Sequence, residues 1–240
     1  MSKPIAFIIG AGKNIGASTT KALQANGYRV ARGDIARQDD PSARTINPDD
    51  RKGDDLFLKC DLTKPETVSS LFADLRKSWG EPSVVIYNAA AAHFTPKTDT
   101  FSASLDDFVS DMSVNTVSAY VAIQEALAGF DTLPSSASKA FLYTGNILNL
   151  EPILGLQTCG AGKSATAHLI QVAALTYREK GLRFHYVDER MSDGRPAIHP
   201  YVDGPAHAEF FLELMGETDV PWLATFVAGK GYTDFGKQPK

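Results

Sequence analysis

The stretch Ala6-Phe-Ile-Ile-Gly10-Ala-Gly12-Lys-Asn-Ile-Gly16 decides the fold of this 240-residue chain. A short apolar run ends directly in a glycine-containing turn, and a segment with helical spacing follows. Glycines between a strand and a helix let the backbone approach a pyrophosphate, which the free amides and the positive dipole end of the helix then stabilise. The stretch therefore predicts a strand, a phosphate-binding turn and the start of a helix.

The spacing of the glycines separates this turn from the common dinucleotide fingerprint. A G-x-G-x-x-G pattern that starts at Gly10 needs its third glycine at position 15, where Ile15 stands. A Gly-x-x-x-Gly-x-Gly pattern nearly fits, with Asn14 in its middle place, because asparagine tolerates positive φ. We predict that the cofactor is bound by Gly10, Lys13, Asn14, Ile15 and Gly16.

Apolar runs alternate with segments of helical period along the whole chain. The runs are almost wholly apolar, as expected for parallel strands that are covered on both faces. The pattern predicts strands at 5–9, 28–33, 56–60, 83–88, 140–144, 184–187 and 224–227, and helices at about 15–26, 65–78, 104–128, 161–180 and 205–215. It favours a single α/β domain over residues 1–240, doubly wound and Rossmann-type, with a mostly parallel seven-stranded sheet and helices on both faces.

Two segments stand outside this alternation. Residues 36–55 are rich in Asp, Arg, Pro and Asn, so we predict a long exposed loop there. Residues 188–204 follow the sixth predicted strand, and we expect them to shape the substrate pocket, since ligands of open α/β sheets bind at the carboxyl ends of the strands.

Composition and charge exclude several classes of protein. A formal net charge of −4 argues against a nucleic-acid or anionic-membrane partner. The two cysteines, Cys60 and Cys159, have neither disulfide-framework nor metal-ligand spacing, so we predict no metal site and a reducing cytoplasm. No apolar run approaches the roughly 18 residues of a membrane span, and the apolar stretch near Met1 is too short for a signal peptide.

Five motifs, in order, resemble those of the short-chain dehydrogenase/reductase family. They are Gly10 to Gly16, Asp61-Leu62, Tyr87-Asn88-Ala89-Ala90 where the family has Asn-Asn-Ala-Gly, Asn115 in Ser-Val-Asn-Thr, and Lys163. The resemblance implies an NAD or NADP cofactor and a small-molecule substrate. It adds further cofactor-binding residues, namely Asp61, Leu62, Asn88, Ala89, Ala90 and Lys163. It also implies a homodimer or homotetramer, in which the helix at 104–128 packs against a second subunit.

The choice between NAD and NADP stays open. Asp34 ends the second predicted strand, where a carboxylate would bond the adenosine ribose 2′-OH and repel a 2′-phosphate. Lys13 argues the other way, because NADP-using members often carry a base in this turn, and Arg37 follows Asp34 closely. The residues favour NAD slightly.

The resemblance implies carbonyl reduction by a Ser-Tyr-Lys-Asn set, in which the tyrosine donates the proton, the lysine lowers the tyrosine pKa and the asparagine orders a relay water. Lys163 and Asn115 match the lysine and the asparagine. Cys159 stands four residues before the lysine, where the family has its tyrosine, and Asn146 stands where the family has its serine. The usual Pro-Gly turn after the sixth strand is replaced by Asp188-Glu189-Arg190.

The departures leave the proton donor open. The Cys159 thiol is either an acid beside the Lys163 ammonium or a small apolar filler. Asn146 can donate a hydrogen bond to a substrate oxygen but cannot relay a proton, and strand alternation selects Thr144 over Tyr143 to share its face. Further candidate acids or bases near the strand carboxyl ends are His93, Asp188 and Glu189.

Two functions remain compatible with these residues. The first is an NAD(P)(H)-dependent oxidoreductase with a remodelled proton-donor site, acting on a small or medium organic carbonyl or alcohol. The second is a dinucleotide-binding protein without redox turnover, such as a sensor, a scaffold or a non-redox lyase or cyclase. Retention of Lys163 and Asn115 favours the first, and the joint loss of tyrosine and serine favours the second.

Overall fold

The computed structural model describes residues 3–34, 53–216 and 219–236. These residues form one sheet of eight strands in the order β3-β2-β1-β4-β5-β6-β7-β8. The strands are β1 Ile5–Ile9, β2 Arg29–Asp34, β3 Asp55–Lys59, β4 Val84–Tyr87, β5 Ala140–Thr144, β6 Arg183–Glu189, β7 Leu223–Val227 and β8 Gly231–Tyr232. Strands β1 to β7 pair in parallel, and only β8 is antiparallel. The strand order reverses between β1 and β4, which is where open α/β sheets bind their ligands.

Helices cover both faces of the sheet. They are α1 Ile15–Ala25, α2 Glu66–Ser78, α3 Leu105–Met112, α4 Ser118–Phe130, α5 Gln157–Tyr177 and α6 Gly204–Met215. One apolar cluster joins the sheet to α1 and α6, and a second joins its other face to α2, α4 and α5. The predicted doubly wound, mostly parallel α/β fold is therefore confirmed. No helix among the described residues is both long enough and apolar enough to span a membrane.

Three elements of the structure differ from the prediction. The helix predicted over 104–128 is two helices, α3 and α4, joined by a five-residue π-helical segment, Ser113–Val117. The sheet has an eighth strand, β8, whose two residues are too few to show a period in the sequence. The fifth helix begins at Gln157 rather than 161, because its glycine-rich first turns are stabilised by packing that intrinsic propensity does not report.

The end of the sixth strand also lies later than predicted. Asp188 and Glu189 pair with Thr225 and Phe226 of β7, so β6 runs to Glu189 instead of ending at 187. The segment predicted as a loop at 188–204 is thus an irregular connection only from 190 to 203. Of the loop predicted at 36–55, residues 36–52 lie outside the described residues, and Asp55 already belongs to β3.

Candidate active site

The glycine turn after β1 lies where the strand order reverses. Gly10 has a φ of 88°, and a Cβ there would lie 2.3 Å from the Ala89 amide nitrogen, so no larger residue fits. The carboxamide of Asn88 fixes the turn, since its Nδ2 donates to the Gly10 carbonyl oxygen at 2.7 Å. A Cβ on Gly12 would meet no atom within 4 Å, so the turn is open on that side.

The start of α1 has the chemistry of an anion site. Its N-cap residue, Asn14, makes no side-chain hydrogen bond to the helix, and the first turn contains no acidic residue. The Asn14 Nδ2 donates instead to the Val202 carbonyl oxygen, 2.9 Å away, so the connection before α6 reaches this turn. Helix amides without a capping side chain, next to an open glycine turn, fit a pyrophosphate. The structure brings the five predicted turn residues together here: Gly10, Lys13, Asn14, Ile15 and Gly16.

The predicted residues of the adenosine side lie along the carboxyl ends of β2 and β3. Asp34 is the last residue of β2, and Asp61 and Leu62 follow β3 closely. The Asp61 carboxylate accepts hydrogen bonds from the Thr63 hydroxyl and amide at 2.6 and 3.1 Å, and the hydroxyl bond chiefly lowers the Asp61 pKa. Leu62 is buried, and its carbonyl oxygen accepts from the Ser118 hydroxyl at 2.8 Å.

Asn115 is buried in the π-helical segment and holds the loop that follows β4. Its Oδ1 accepts from the Ala91 amide at 3.1 Å, and its Nδ2 donates to the Ala91 carbonyl oxygen at 2.7 Å. The Asn115 carbonyl oxygen accepts from the hydroxyls of Tyr143 and Thr166 at 2.9 and 2.7 Å. Both lone pairs of that oxygen are therefore engaged within the protein.

Lys163 lies buried in α5 beneath the carboxyl end of β5. Its Nζ donates to the Thr144 carbonyl oxygen at 2.7 Å and lies 4.5 Å from the centre of the Tyr143 ring. Burial lowers the Lys163 pKa to about 8, although the neighbouring Cys159 and Asp188 raise it. Cys159, one helical turn earlier, is also buried, and burial raises its pKa more than Lys163 lowers it. The Cys159 thiol is therefore protonated at neutral pH.

Asn146 follows β5 and begins a short 3-10 turn, Ile147–Asn149. Its Oδ1 accepts from the Leu148 amide at 3.0 Å, and its backbone is held by the Tyr186 hydroxyl. Gly145 allows this approach, since a Cβ there would lie 2.0 Å from the Tyr186 ring. Among the described residues no acceptor bonds the Asn146 Nδ2, so this donor is available to a ligand.

Buried charges occupy the end of β6. The Asp188 Oδ2 accepts from Arg190 Nε at 2.6 Å, while its Oδ1 is buried without a hydrogen-bond partner in the described part of the chain. Burial raises the Asp188 pKa to about 6. On the opposite face, Glu189 accepts from the Asp203 amide at 3.0 Å and lies 3.3 Å from His207 Nδ1, and burial raises the Glu189 pKa to about 7.

His93 lies in the loop after β4 and is paired with a carboxylate that sequence reasoning missed. Its Nδ1 lies 2.9 Å from Asp111 Oδ1, and its amide donates to Asp111 Oδ2 at 2.8 Å. Its Nε2 lies 3.2 Å from Asp107 Oδ1. Asp111 lies 18 positions later in the chain, in a different element. No short sequence motif connects the two residues, so their pairing could not be predicted.

Two cavities flank the 3-10 turn after β5. The larger, of about 830 Å³, is lined by Ile147, Leu150, Arg190, Arg195 and Tyr232, and the smaller, of about 460 Å³, by Phe101, Leu148, Leu154 and Gln157. The connection between β6 and α6 thus lines a concave surface beside the 3-10 turn, and neither of these two cavities is lined by Asn146, Cys159 or Lys163. The described residues contain no cluster of three His, Cys, Asp or Glu side chains that could hold a metal ion.

Known proteins resemble this chain in sequence and in structure. A family model described as enoyl-(acyl carrier protein) reductase matches residues 10–194. Short chain dehydrogenase/reductase dmxR12 of Cryptosporiopsis sp. (strain 8999) is 42% identical over 247 residues, which cover 98% of this chain and 96% of that protein.

Two solved structures share the fold. A short-chain dehydrogenase/reductase from Serratia marcescens superposes with a TM-score of 0.76 at 21% identity, covering 94% of this chain and 97% of that one. An alcohol dehydrogenase from the archaeon Thermococcus sibiricus, complexed with 5-hydroxy-NADP, superposes with a TM-score of 0.72 at 18% identity, covering 97% and 99%. With a family match over most of its length and a relative similar from end to end, the chain belongs to the short-chain dehydrogenase/reductase family.

Proposed function

We propose that this protein is an NAD(P)(H)-dependent oxidoreductase that acts on a small or medium organic carbonyl or alcohol and has a remodelled proton-donor site. The strongest support for this function is a chain of hydrogen bonds between the glycine turn and Lys163. Hydrogen bonds of 2.7, 2.8 and 2.7 Å run from the Gly10 carbonyl oxygen through Asn88 and Thr144 to Lys163 Nζ. The phosphate-binding turn and the family lysine are therefore held in one rigid unit, as a dinucleotide that contacts both requires.

The chain's own residues account for cofactor binding as follows. The glycine turn and the start of α1 bind the pyrophosphate, and Lys163 binds the nicotinamide ribose. Asp61, Leu62, Asn88, Ala89 and Ala90 complete the adenosine side and the floor of the site. When bound, the nicotinamide supplies or accepts a hydride.

Asp34 makes NAD the slightly favoured cofactor, because its carboxylate at the end of β2 would repel a 2′-phosphate. Lys13 opposes this preference. Fluorescence titration with NADH and NADPH tests it, and Asp34→Asn should improve NADPH binding at least tenfold relative to NADH. An unchanged ratio would remove Asp34 from cofactor selection.

We propose that four residues form the catalytic site around the reacting carbon of the substrate: Asn115, Asn146, Cys159 and Lys163. Asn146 donates a hydrogen bond to the substrate oxygen through its Nδ2. Asn115 positions the loop at Ala91 rather than a relay water, because its carbonyl oxygen already accepts two hydrogen bonds. The substrate lies against the connection after β6, whose residues line the 830 Å³ cavity.

Turnover decides between this function and a dinucleotide-binding protein without redox activity. Purified protein is incubated with NADH or NADPH and a panel of ketones, aldehydes and imines, and the absorbance of the reduced cofactor is followed. We expect oxidation of the cofactor with at least one substrate. Tight cofactor binding by fluorescence with no turnover on any substrate would favour the sensor, scaffold or non-redox alternative.

We further propose one cytoplasmic domain that assembles as a homodimer or homotetramer. Exposed apolar side chains lie on the outer faces of α5, of α4 and of the π-helical segment before it, including Val117, Tyr120, Val172 and Leu175, and a second copy would bury them. Size-exclusion chromatography with light scattering gives the molar mass and so tests the assembly. A monomer at micromolar concentration would contradict it.

A further inference from the structure

We propose that His93, held by Asp111, is the acid–base residue that exchanges the proton with the substrate oxygen. This inference rests on the proposed oxidoreductase function and identifies the donor that replaces the family tyrosine.

The geometry of the pair is that of a histidine oriented by a carboxylate. Asp111 is fully buried, and both of its oxygens bond His93, one through the backbone amide at 2.8 Å and one through Nδ1 at 2.9 Å. A buried carboxylate that accepts from Nδ1 fixes the tautomer with hydrogen on Nδ1 and directs Nε2 outward. The His93 side chain is 44% exposed, so part of the imidazole is open to solvent.

The contact of Nε2 is one that a substrate can replace. Asp107 Oδ1 lies 3.2 Å from Nε2, and the Asp107 side chain is 40% exposed. The same carboxylate belongs to the capping box of α3: its Oδ2 accepts from the Ser104 amide, and the Ser104 hydroxyl oxygen accepts from the Asp107 amide. Asp107 therefore keeps a partner when a substrate oxygen takes its place at Nε2.

Hydrogen bonds on both sides of His93 tie its loop to the π-helical segment and to α5. Two residues before it, Ala91 is bonded to Asn115 at 2.7 and 3.1 Å. Two residues after it, the Thr95 hydroxyl lies 3.1 Å from Gln157 Nε2, at the start of the helix that carries Cys159 and Lys163. Helix α3, whose penultimate residue is Asp111, packs against α5, the helix that carries Cys159 and Lys163.

Other groups at the site are less suited to repeated proton exchange. Cys159 is buried and makes no hydrogen bond among the described residues, and a thiol is a weak hydrogen-bond donor. A proton relay from Lys163 would need a water molecule bonded to the Asn115 carbonyl oxygen. Both lone pairs of that oxygen already accept hydrogen bonds, from the Tyr143 and Thr166 hydroxyls. His93 alone among these candidates combines a fixed orientation with direct access to water.

The proposed step balances in the direction of reduction, with a reduced nicotinamide dinucleotide as the hydride source. Protonated His93 gives its Nε2 proton to the carbonyl oxygen as the hydride reaches the carbonyl carbon. The π pair of the carbonyl becomes the new O–H bond, and the products are the alcohol, the oxidised dinucleotide and neutral His93. Solvent then restores the Nε2 proton, while Nδ1–H stays bonded to Asp111.

The first test needs neither cofactor nor substrate. Nitrogen-15 NMR of the apo protein should show the neutral His93 ring with its hydrogen on Nδ1, and Asp111→Asn should abolish that preference. Exposed His168 of α5 is the internal reference and should not respond to Asp111→Asn. A His93 ring with its hydrogen on Nε2 in the wild type would overturn the proposal.

The second test measures turnover of His93→Ala on a substrate that the wild type reduces. We expect a loss of 100-fold or more, which is the usual size of a general acid contribution, with cofactor affinity unchanged by fluorescence. Added imidazole should restore part of the rate in His93→Ala, and His168→Ala should behave as wild type.

The outcomes separate this inference from the proposed function. Wild-type turnover that His93→Ala retains within threefold overturns the role of His93 and leaves the oxidoreductase standing. Loss of turnover in Cys159→Ala, with His93→Ala active, assigns the proton to the thiol instead. Absence of wild-type turnover on every carbonyl overturns the oxidoreductase function, and with it the acid–base role, whatever the NMR spectrum shows.

Discussion

The Lys163 ammonium donates a 2.7 Å hydrogen bond to the carbonyl oxygen of Thr144, at the last residue of β5. This bond joins strand β5 to helix α5, and further hydrogen bonds join Thr144 to Asn88 and Asn88 to the glycine turn. The glycine turn after β1 and helix α5 are therefore linked by a chain of hydrogen bonds that ends at Lys163.

Replacing Lys163 tests this link. Lys163→Met should weaken binding of the preferred dinucleotide at least tenfold, because a charged hydrogen-bond donor is lost (roughly 1.5–3 kcal/mol). It should not lower the free energy of unfolding at pH 7, because burial lowers the Lys163 pKa to about 8 and so disfavours the ammonium in the folded state. Fluorescence titration and chemical denaturation give the two quantities. Unchanged affinity would exclude Lys163 from the cofactor site.

Glu189 should make stability depend on pH. Burial raises its pKa from an ordinary 4.5 to about 7, so the folded state holds a proton that the unfolded chain releases. The stabilisation is fully present below about pH 4.5, is lost as the pH rises towards 7, and is absent above that. Glu189→Gln cannot ionise and should be more stable than wild type at pH 8, by up to about 3 kcal/mol.

Denaturation curves at pH 5 and pH 8 measure this effect. Exposed Glu209→Gln on α6 serves as the control and should shift neither curve. If Glu189→Gln is less stable than wild type at pH 8, the ionised Glu189 carboxylate stabilises the folded state, and this prediction is wrong.

Two glycines of α5 form a matched pair. A Cβ on Gly162 would lie 2.6 Å from the Asn115 Cβ, whereas a Cβ on Gly160 would meet Leu148 at an ordinary 3.9 Å. Gly162→Ala should therefore destabilise the protein by about 1–3 kcal/mol through overpacking. Gly160→Ala should be neutral or stabilising by up to about 1 kcal/mol, because alanine favours the helix. Thermal unfolding of both variants distinguishes them, and equal effects would argue against close contact between α5 and the π-helical segment.

Both thiols should resist alkylation in the folded protein. Burial raises the pKa of Cys60 to about 12 and also raises that of Cys159, and the thiolate is the reactive form. Iodoacetamide at pH 7.5, followed by mass spectrometry, should label neither residue until denaturant is added. Rapid labelling of Cys159 in the native state would contradict this expectation, because it would indicate an accessible thiolate.

The central strands were predictable because their signal is local. Strands β1, β4 and β5 are apolar on both faces, and their predicted bounds agree with the structure to within one residue at each end. The glycine turn, Asn115 and Lys163 were recognisable for the same reason, since each belongs to a short motif. The π-helical segment and the early start of α5 were missed because packing with distant segments stabilises them, and β8 was missed because two residues are too few to show a period.

By itself, the sequence determined the order of strands and helices and which residues reach the carboxyl edge of the sheet, because apolar periodicity and turn chemistry act between near neighbours. Only the tertiary structure decided which side chains meet there. His93 contacts Asp111, 18 positions away, and Glu189 of β6 contacts His207 of α6, because folding brings these segments together. Burial then set the direction in which the pKa values of Lys163 and Glu189 move, and burial is a property of the folded chain that no local pattern contains.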